Sequence, residues 1–219
     1  MSVKVAVILS GCGFLDGAEI HEAVMTLYAL QKLGAETICF APNIEQSDVI
    51  NHLTKQTVPN ERRNVLIESA RIARGNITNL AEFDPNNVHA MVLPGGFGAA
   101  KNLSSFASEG AECSINPDVE SAIKGMISLN KPVAALCISP AVVARLYDSP
   151  TLTIGQDTAT ALTLETMGAT HETTGHGEVV VDRTNKLVTT PCYMLDATVP
   201  DIARGAENAM EVLLTLIDD

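Results

Sequence analysis

The sequence of 219 residues contains no tryptophan, and aromatic residues make up only 4% of it. Basic residues are also scarce: 14 lysines and arginines stand against 26 aspartates and glutamates, for a formal net charge of −12 at pH 7. Without a basic cluster, binding to nucleic acid or to an anionic membrane surface is not expected. Hydrophobic residues still make up 46% of the chain, so the length predicts one domain, residues 1–219, with a sizeable core.

Long hydrophobic runs and cysteine pairs are lacking as well. The first apolar run, residues 5–9, is too short for a membrane span or for the apolar segment of a signal peptide. We therefore expect a cytoplasmic protein without membrane contact. The five cysteines are odd in number and include no C-x-x-C pair. This pattern argues against a disulfide framework and against a structural zinc site, so no metal is expected.

Short apolar runs alternate with helical periodicity along most of the chain. Runs typical of parallel strands that are buried on both faces lie at 3–9, 36–40, 88–93 and immediately before Cys137. Helical periodicity covers residues 18–33, 62–74, 119–129, 159–167 and 200–217. A short strand is predicted at 152–154, and the runs 178–181 and 187–190 flank a polar turn, as in a hairpin. This order predicts an α/β fold with a mostly parallel sheet and a terminal β-hairpin.

A single cysteine, Cys137, lies between a predicted strand and a predicted helix. The residues two before and two after it, Ala135 and Ser139, are both small, as a sharp strand-to-helix turn requires. Pro140 suits the first helical turn, where no amide donor is needed. A thiol at such a turn faces unpaired backbone N–H groups and the positive end of a helix, which favours the thiolate. The alternative is a buried cysteine that acts as a small hydrophobic residue.

Two other segments carry candidate partners for this thiol, since sites in open α/β sheets lie beyond the carboxyl ends of the strands. Gly95 and Gly96 follow the strand at 88–93, and their turn directs backbone N–H groups at a developing oxyanion together with the amide of Ile138. The alternative is a tight strand exit without a role in chemistry. Glu22 has apolar neighbours in the first predicted helix, so its carboxyl is a candidate to hydrogen-bond the thiol and move a proton. Glu19 is interpreted as complementing the helix dipole.

The remaining motifs give weaker signals. The glycine pattern at 11–17 is close to a dinucleotide-binding fingerprint, but its third glycine comes one residue late and no acid for a ribose ends the second strand. We therefore expect no nicotinamide cofactor. Cys12 is either a second thiol near the site or a small loop residue. No histidine adjoins Cys137; His176 and Glu178 have the H-x-E spacing of an amidotransferase triad, but structural roles are favoured for His171 and His176.

Taken together, these residues resemble the ThiJ/PfpI superfamily, relatives of the class I glutamine amidotransferases. The resemblance is carried by Val-Leu-Pro-Gly-Gly at 92–96 and by Ala-Ala-Leu-Cys-Ile-Ser-Pro-Ala at 134–141. Further motifs resemble the ElbB branch, described as isoprenoid-biosynthesis proteins with an amidotransferase-like domain. They lie at 10–23, 39–42, 152–155 and 188–194.

The resemblance implies a flavodoxin-like three-layer sandwich with a nucleophile at Cys137 and a partner carboxyl at Glu22. It also implies oxyanion-binding amides at Gly96 and Ile138, with Gly95 beside them, and a homodimer. The implied activity is that of a cofactor-free glyoxalase, which turns glyoxal into glycolate or methylglyoxal into lactate and is sometimes interpreted as a protein deglycase. Ile138 stands where the protease-like and chaperone-like branches often have histidine, so a peptidase is not expected.

Three functional hypotheses follow. In the first, a glutathione-independent glyoxalase forms a hemithioacetal between Cys137 and a small dicarbonyl substrate, and Glu22 moves a proton through an enediol. In the second, a redox-sensing or regulatory protein has a Cys137 of low pKa that is oxidised rather than used in turnover. In the third, an amidotransferase partner or regulator uses His176 and Glu178.

Overall fold

The computed structural model describes residues 2–218. The strands of its central sheet are β1 (Lys4–Ile8), β2 (Glu36–Ala41), β5 (Ile77–Asn79), β6 (Ala90–Leu93), β7 (Val133–Leu136), β10 (Val180–Asp182) and β11 (Leu187–Thr190). They are arranged in the order β10-β11-β7-β6-β1-β2-β5. Two small sheets outside it contain β3 (Ile50–Asn51) with β4 (Gln56–Thr57), and β8 (Thr151–Leu152) with β9 (Thr170–His171).

The helices connect these strands and cover both faces of the sheet. They are α1 (Ile20–Lys32), α2 (Val65–Ile72), α3 (Phe97–Lys101), α4 (Phe106–Glu109), α5 (Pro117–Ser128), α6 (Pro140–Ala144), α7 (Thr158–Thr166) and α8 (Val199–Thr215). Short 3-10 helices lie at Leu80–Glu82, Pro85–Asn87, Gly110–Glu112 and Cys192–Met194. Within residues 2–218, no helix is long and apolar enough to cross a membrane.

Neighbouring strands of the central sheet pair in parallel except for β10 and β11, which form the antiparallel hairpin. Alternate residues of β1 point to opposite faces, so Ala6 and Ile8 join one buried cluster while Val5 and Val7 join the other. Helices α5, α6 and α7 cover the first cluster, and α1, α2 and α8 cover the second. The prediction of a flavodoxin-like α/β sandwich with a mostly parallel sheet and a terminal hairpin is therefore confirmed.

Side-chain caps set where the helices begin. The Glu19 side chain accepts a hydrogen bond of 2.7 Å from the backbone N–H of Glu22, so α1 begins at Ile20, two residues later than predicted. Asn64 caps α2 in the same way through the N–H of Ile67, which shortens the helix predicted over 62–74. The first cap matters for function, because it fixes the helical turn that carries Glu22.

The structure differs from the sequence prediction at the sheet edge and in the long connections. Strand β5 was not predicted, because its three half-buried residues include Thr78 and Asn79 and form no apolar run. The strand predicted at 152–154 is β8, which lies outside the central sheet and pairs with β9. The polar segment 43–59 contains the β3–β4 hairpin, and the connection 103–116 contains α4. Both segments contribute to the surroundings of the candidate site.

Candidate active site

Cys137 lies at the carboxyl end of β7 with a φ of +59°, a left-handed conformation that is costly for a residue with a Cβ atom. Its backbone N–H donates to the carbonyl oxygen of Thr190 at 2.9 Å, and α6 begins three residues later. The hydroxyl of Ser139 donates to the carbonyl oxygen of Pro94 at 2.8 Å in a buried contact. The strained turn is thus fixed to the exits of both neighbouring strands.

The adjacent turn at Gly95 and Gly96 has no room for side chains. A Cβ atom on Gly95 would lie 2.4 Å from the Cβ of Cys137, and one on Gly96 would lie 2.3 Å from the backbone nitrogen of Glu19. Gly96 also has a φ of +99°. These glycines therefore allow the exit of β6 to contact both the cysteine and the start of α1. In this arrangement the backbone N–H groups of Gly96 and Ile138 are close enough to the Cys137 side chain to oppose the rise of its pKa.

Glu22 is fully buried beside the cysteine. Its Oε2 accepts a hydrogen bond of 3.0 Å from the N–H of Gly95, and its Oε1 accepts one of 3.2 Å from the N–H of Tyr193. The carboxyl also hydrogen-bonds the Cys137 side chain. The structure thus brings together five residues that the sequence singles out: Cys137, Glu22, Gly95, Gly96 and Ile138.

Both acidic groups of this pair have raised pKa values. Burial, reinforced by the negative charge of Glu19, raises the pKa of Glu22 to about 8. Burial and the nearby Glu22 carboxyl raise the pKa of the Cys137 thiol well above its usual value, although the N–H groups of Gly96 and Ile138 oppose the shift. The sequence-based expectation of a thiolate is therefore wrong, because desolvation outweighs the two amides and the five-residue helix α6.

A cavity of about 680 Å³ opens above the cysteine and is called the Cys137 cavity below. Its apolar wall is formed by Phe14, Phe97, Phe106, Ile138 and Met194. Its polar lining includes Glu19, His21, Thr160 and Tyr193. The cavity is of a size that holds a small organic ligand. Cys137 lines it, whereas Glu22, fully buried next to the cysteine, does not.

Sequence reasoning did not assign a role to His21 or Tyr193, which lie 172 positions apart. The His21 Nδ1 atom is 2.8 Å from the Tyr193 hydroxyl, and both side chains line the Cys137 cavity. Tyr193 follows the carboxyl end of β11 closely, and His21 directly precedes Glu22. Position at a strand end was the available signal for Tyr193, whereas its pairing with a helix residue depends on the tertiary fold.

The other residues that the sequence analysis considered as candidates lie outside the Cys137 cavity. Cys12 is half-buried in its loop and does not line the Cys137 cavity; burial and the charge of Glu68 raise its pKa. His176 does not line the cavity either, while His171 accepts a hydrogen bond from the backbone N–H of Ile154 at 3.3 Å.

Cys192, which the sequence analysis did not single out, is buried close enough to Cys137 for the two charges to interact. All five cysteines are free thiols.

Solved structures with the same fold define the class to which this architecture belongs. A protein from Ehrlichia chaffeensis, named as an isoprenoid biosynthesis protein with an amidotransferase-like domain, matches with a TM-score of 0.91 and 34% identity, over 97% of this chain and 99% of that chain. Glyoxalase III from Candida albicans matches with a TM-score of 0.61 over 98% of this chain and 97% of that chain; at 16% identity it supports the fold alone. The fold is thus that of the DJ-1/ThiJ/PfpI class.

No family model matches the chain. The rat protein named ES1 protein homolog, mitochondrial, is 42% identical over 97% of this chain and 84% of its own length. The human protein named glutamine amidotransferase-like class 1 domain-containing protein 3, mitochondrial, is 41% identical over 98% of this chain and 84% of its own length. The chain belongs to this ES1 family of class I glutamine amidotransferase-like proteins, as the sequence resemblance to the superfamily predicted.

The prediction of a cytoplasmic location is wrong by the same comparison, because the rat, human and zebrafish relatives are all named mitochondrial. The prediction rested on the short first apolar run. In the structure, residues 4–8 of that run form strand β1 of the central sheet. A buried strand is required by the fold in any compartment, so it carries no information about location.

Proposed function

We propose that this protein is a cofactor-free, glutathione-independent glyoxalase that converts 2-oxoaldehydes such as glyoxal and methylglyoxal into 2-hydroxy acids. One observation carries the proposal. The N–H groups of Gly96 and Ile138 and the carboxyl of Glu22 are all close enough to the Cys137 side chain to shift its pKa. A nucleophile and two oxyanion donors thus line one cavity, and a proton-transfer group lies next to the nucleophile. The fold shared with a structure named glyoxalase III gives weaker, fold-level support.

In the first step, the Cys137 sulfur adds to the aldehyde carbon. A C–S bond forms, the carbonyl π bond breaks, and the thiol proton passes to the ionised form of Glu22. The negative oxygen that develops is stabilised by the N–H groups of Gly96 and Ile138, which in the free protein interact with the sulfur to which this carbon becomes bonded. Return of the proton from Glu22 to that oxygen gives a neutral hemithioacetal.

In the second step, Glu22 removes the hydrogen of the former aldehyde carbon as a proton and delivers it to the neighbouring carbon by way of an enediol. The former aldehyde carbon is oxidised and its neighbour is reduced, so no external oxidant is needed. A pKa near 8 suits this role, because a proton carrier works best when its pKa is close to the working pH.

Formation of the enediol also requires a proton at the second carbonyl oxygen. Its collapse to a thioester, as the second carbon is protonated, requires loss of a proton from the first oxygen. The hydrogen-bonded pair of His21 and Tyr193 in the cavity wall provides groups that donate and accept protons there. The resulting thioester is then hydrolysed: water adds to the carbonyl carbon, the C–S bond breaks, and the sulfur recovers its proton. The net reaction is addition of one water to the oxoaldehyde to give the hydroxy acid.

The test is direct measurement of glycolate and lactate formed from glyoxal and methylglyoxal in amine-free buffer. We expect Cys137→Ala to abolish acid formation and Glu22→Gln to reduce it about 100-fold or more, as for loss of a general acid–base group. Cys12→Ala is the matched control, since this cysteine does not line the cavity, and it is expected to retain wild-type turnover. Full acid formation by Cys137→Ala would refute the mechanism.

Two alternatives from the sequence receive less support. A redox sensor needs a thiolate-rich cysteine, whereas the pKa of Cys137 is raised. An amidotransferase triad would need His176 and Glu178 near Cys137, but neither residue lines the Cys137 cavity. Absence of acid formation, together with selective oxidation of Cys137 by graded peroxide, would favour the sensor over the enzyme.

A further inference from the structure

The Cys137 cavity is far larger than the substrates considered so far. Glyoxal consists of two joined aldehyde groups, and methylglyoxal adds only a methyl group. A cavity of about 680 Å³ lies in the range that accommodates ligands of drug size. A substrate of that size bound at the Cys137 thiol leaves most of the cavity wall in water.

That wall is unusually aromatic for this protein. The chain has five phenylalanines, and three of them, Phe14, Phe97 and Phe106, line the Cys137 cavity. Phe14 and Phe97 are 42% and 48% exposed, so a ligand that covers them removes apolar surface from water. Aromatic side chains favour offset or edge-to-face contact with another ring.

The position of two of these rings is set by the protein itself. The backbone N–H of Phe97 donates to the carbonyl oxygen of Phe14 at 2.7 Å. The Phe14 ring packs edge-on against the His52 imidazole of the β3–β4 hairpin, with centroids 5.5 Å apart. The aromatic wall is therefore built by three separate segments and does not depend on a ligand for its shape.

The charges of the cavity favour a neutral ligand. Among the described residues that line it, none is lysine or arginine, and Glu19 is acidic. Lys101 lies outside the lining, with its Nζ 5.6 Å from the Phe97 ring centroid, and it hydrogen-bonds Asp48 and the Leu15 carbonyl oxygen. A phosphate or carboxylate on the substrate would lack a cationic partner here.

Resting on the proposed function, we propose that the site prefers 2-oxoaldehydes whose ketone carbon carries a flat apolar group, with arylglyoxals as the best-fitting class. The aldehyde end reacts at Cys137 while the ring occupies the space between Phe14, Phe97 and Phe106. The aldehyde carbon is oxidised and the ketone carbon reduced within one molecule, and one water is consumed. The product is a 2-aryl-2-hydroxy acid.

The probe is phenylglyoxal, compared with glyoxal and methylglyoxal by kcat/KM, with mandelate separated by chiral chromatography. We expect kcat/KM for phenylglyoxal to exceed that for methylglyoxal by about tenfold or more, because burial of the phenyl ring against apolar surface stabilises the bound substrate and transition state. One mandelate enantiomer should predominate, because the intermediate is held in a chiral cavity. The rate of Cys137→Ala is subtracted as the uncatalysed background.

Phe97→Ala tests the wall, because it removes the ring while keeping the backbone hydrogen bond to Phe14. We expect it to lower kcat/KM for phenylglyoxal about fivefold more than for glyoxal. Leu162→Ala is the matched control: Leu162 is an exposed apolar residue of α7 that does not line the cavity, and its loss should leave the ratio of the two substrates unchanged.

The outcomes separate this inference from the function on which it rests. Cys137-dependent acid from glyoxal without any preference for phenylglyoxal would overturn the substrate class and leave the glyoxalase proposal standing. No Cys137-dependent acid from any of the three aldehydes would overturn the glyoxalase proposal itself. A preference for phenylglyoxal that persists in Phe97→Ala and in Phe106→Ala would show that the aromatic wall does not select the substrate.

Discussion

The Oε2 atom of Glu22 accepts a hydrogen bond of 3.0 Å from the backbone N–H of Gly95. Because the other carboxyl oxygen accepts from the N–H of Tyr193, the group is held by backbone from two distant segments before any substrate arrives. Both bonds favour the ionised carboxylate, yet complete burial and the charge of Glu19 raise its pKa to about 8. The carboxyl is thus fixed in position and changes its protonation state near physiological pH.

This titration predicts the pH dependence of the reaction. The ionised carboxylate accepts the thiol proton, so kcat/KM for methylglyoxal should rise with pH up to about 8 and level off above it. The measurement is lactate formation from about pH 6 to about pH 9.5 in amine-free buffers. Glu22→Gln should remove the rise as well as most of the rate. A wild-type profile that is flat through pH 8, or an equal rise in Glu22→Gln, would contradict the assignment.

The same group makes folding stability depend on pH. Its pKa rises from 4.5 to about 8 on folding, so between these values the folded protein holds a proton that the unfolded chain has lost. Unfolding then releases a proton, and this group's contribution makes the free energy of unfolding fall by up to about 1.4 kcal/mol per pH unit as pH rises. Below about pH 4.5 and above about pH 8 this contribution is constant.

Urea unfolding of wild type and Glu22→Gln from about pH 5 to about pH 8 isolates this effect. Cys137, whose titration the variant also changes, has a pKa raised well above this range. The stability of the wild type relative to Glu22→Gln should fall steadily from about pH 5 to about pH 8. Glu36→Gln changes an exposed glutamate, and its curve should run parallel to that of the wild type. Parallel curves for the wild type and Glu22→Gln would mean that Glu22 is not protonated in the folded protein.

Features of the fold and site that depend on neighbouring residues in the chain could be predicted from the sequence. Strands β1 and β6 were predicted because burial on both faces leaves an apolar run in the sequence. The turn at Cys137 was predicted because the small residues Ala135 and Ser139 are local to it. Candidate partners such as Glu22 and Gly96 could be inferred from their places at a helix start and a strand end.

Features that depend on contacts between residues far apart in the sequence could not be predicted from it. The ionisation state of Cys137 was predicted with the wrong sign, since local helix geometry gives no measure of burial or of the distance to Glu22. The pair of His21 and Tyr193 joins α1 to the chain after β11. The edge strand β5 is polar and half-buried, so its hydrogen bonds to β2 leave no mark in the residue pattern.

Gly96 provides a test of the turn that directs the oxyanion donors. In Gly96→Ala the new Cβ would lie 2.3 Å from the backbone nitrogen of Glu19 and 2.5 Å from the carbonyl oxygen of Gly17, and neither can move freely. Gly34→Ala is a matched control, because Gly34 also has a positive φ, of +81°, but a Cβ there meets nothing within 4 Å. The control should therefore lose only about 1–2 kcal/mol of its free energy of unfolding, from the backbone strain of a Cβ atom at positive φ.

We therefore expect Gly96→Ala either to fail to fold or to lose several kcal/mol more free energy of unfolding than the control, which loses about 1–2 kcal/mol. The measurement is urea unfolding followed by circular dichroism. Any folded fraction should form acid from methylglyoxal much more slowly, because the displaced turn no longer directs its N–H at the Cys137 sulfur. Gly34→Ala should retain full turnover. Equal stability losses in the two variants would show that the predicted collision is relieved by local movement.

The raised pKa of Cys137 predicts a slow thiol at neutral pH. Alkylation by iodoacetamide requires the thiolate, so Cys137 should react about tenfold or more slowly at pH 7 than the same residue in the urea-unfolded protein. Peptide mass spectrometry resolves it from the other four cysteines. Restricted access alone would slow the reaction by the same factor at every pH, whereas a raised pKa makes the difference shrink as pH increases beyond 9.

Glu22→Gln separates these two causes a second time. Removing the carboxylate removes one of the two main causes of the raised Cys137 pKa, so the thiol should react faster at about pH 8 to 9 than in the wild type, although it is equally buried. Glu36→Gln should not change the rate. If Cys137 is instead the fastest of the five cysteines at pH 7, the thiolate is stabilised after all, and oxidation of this residue becomes the better account of its position at the strained turn.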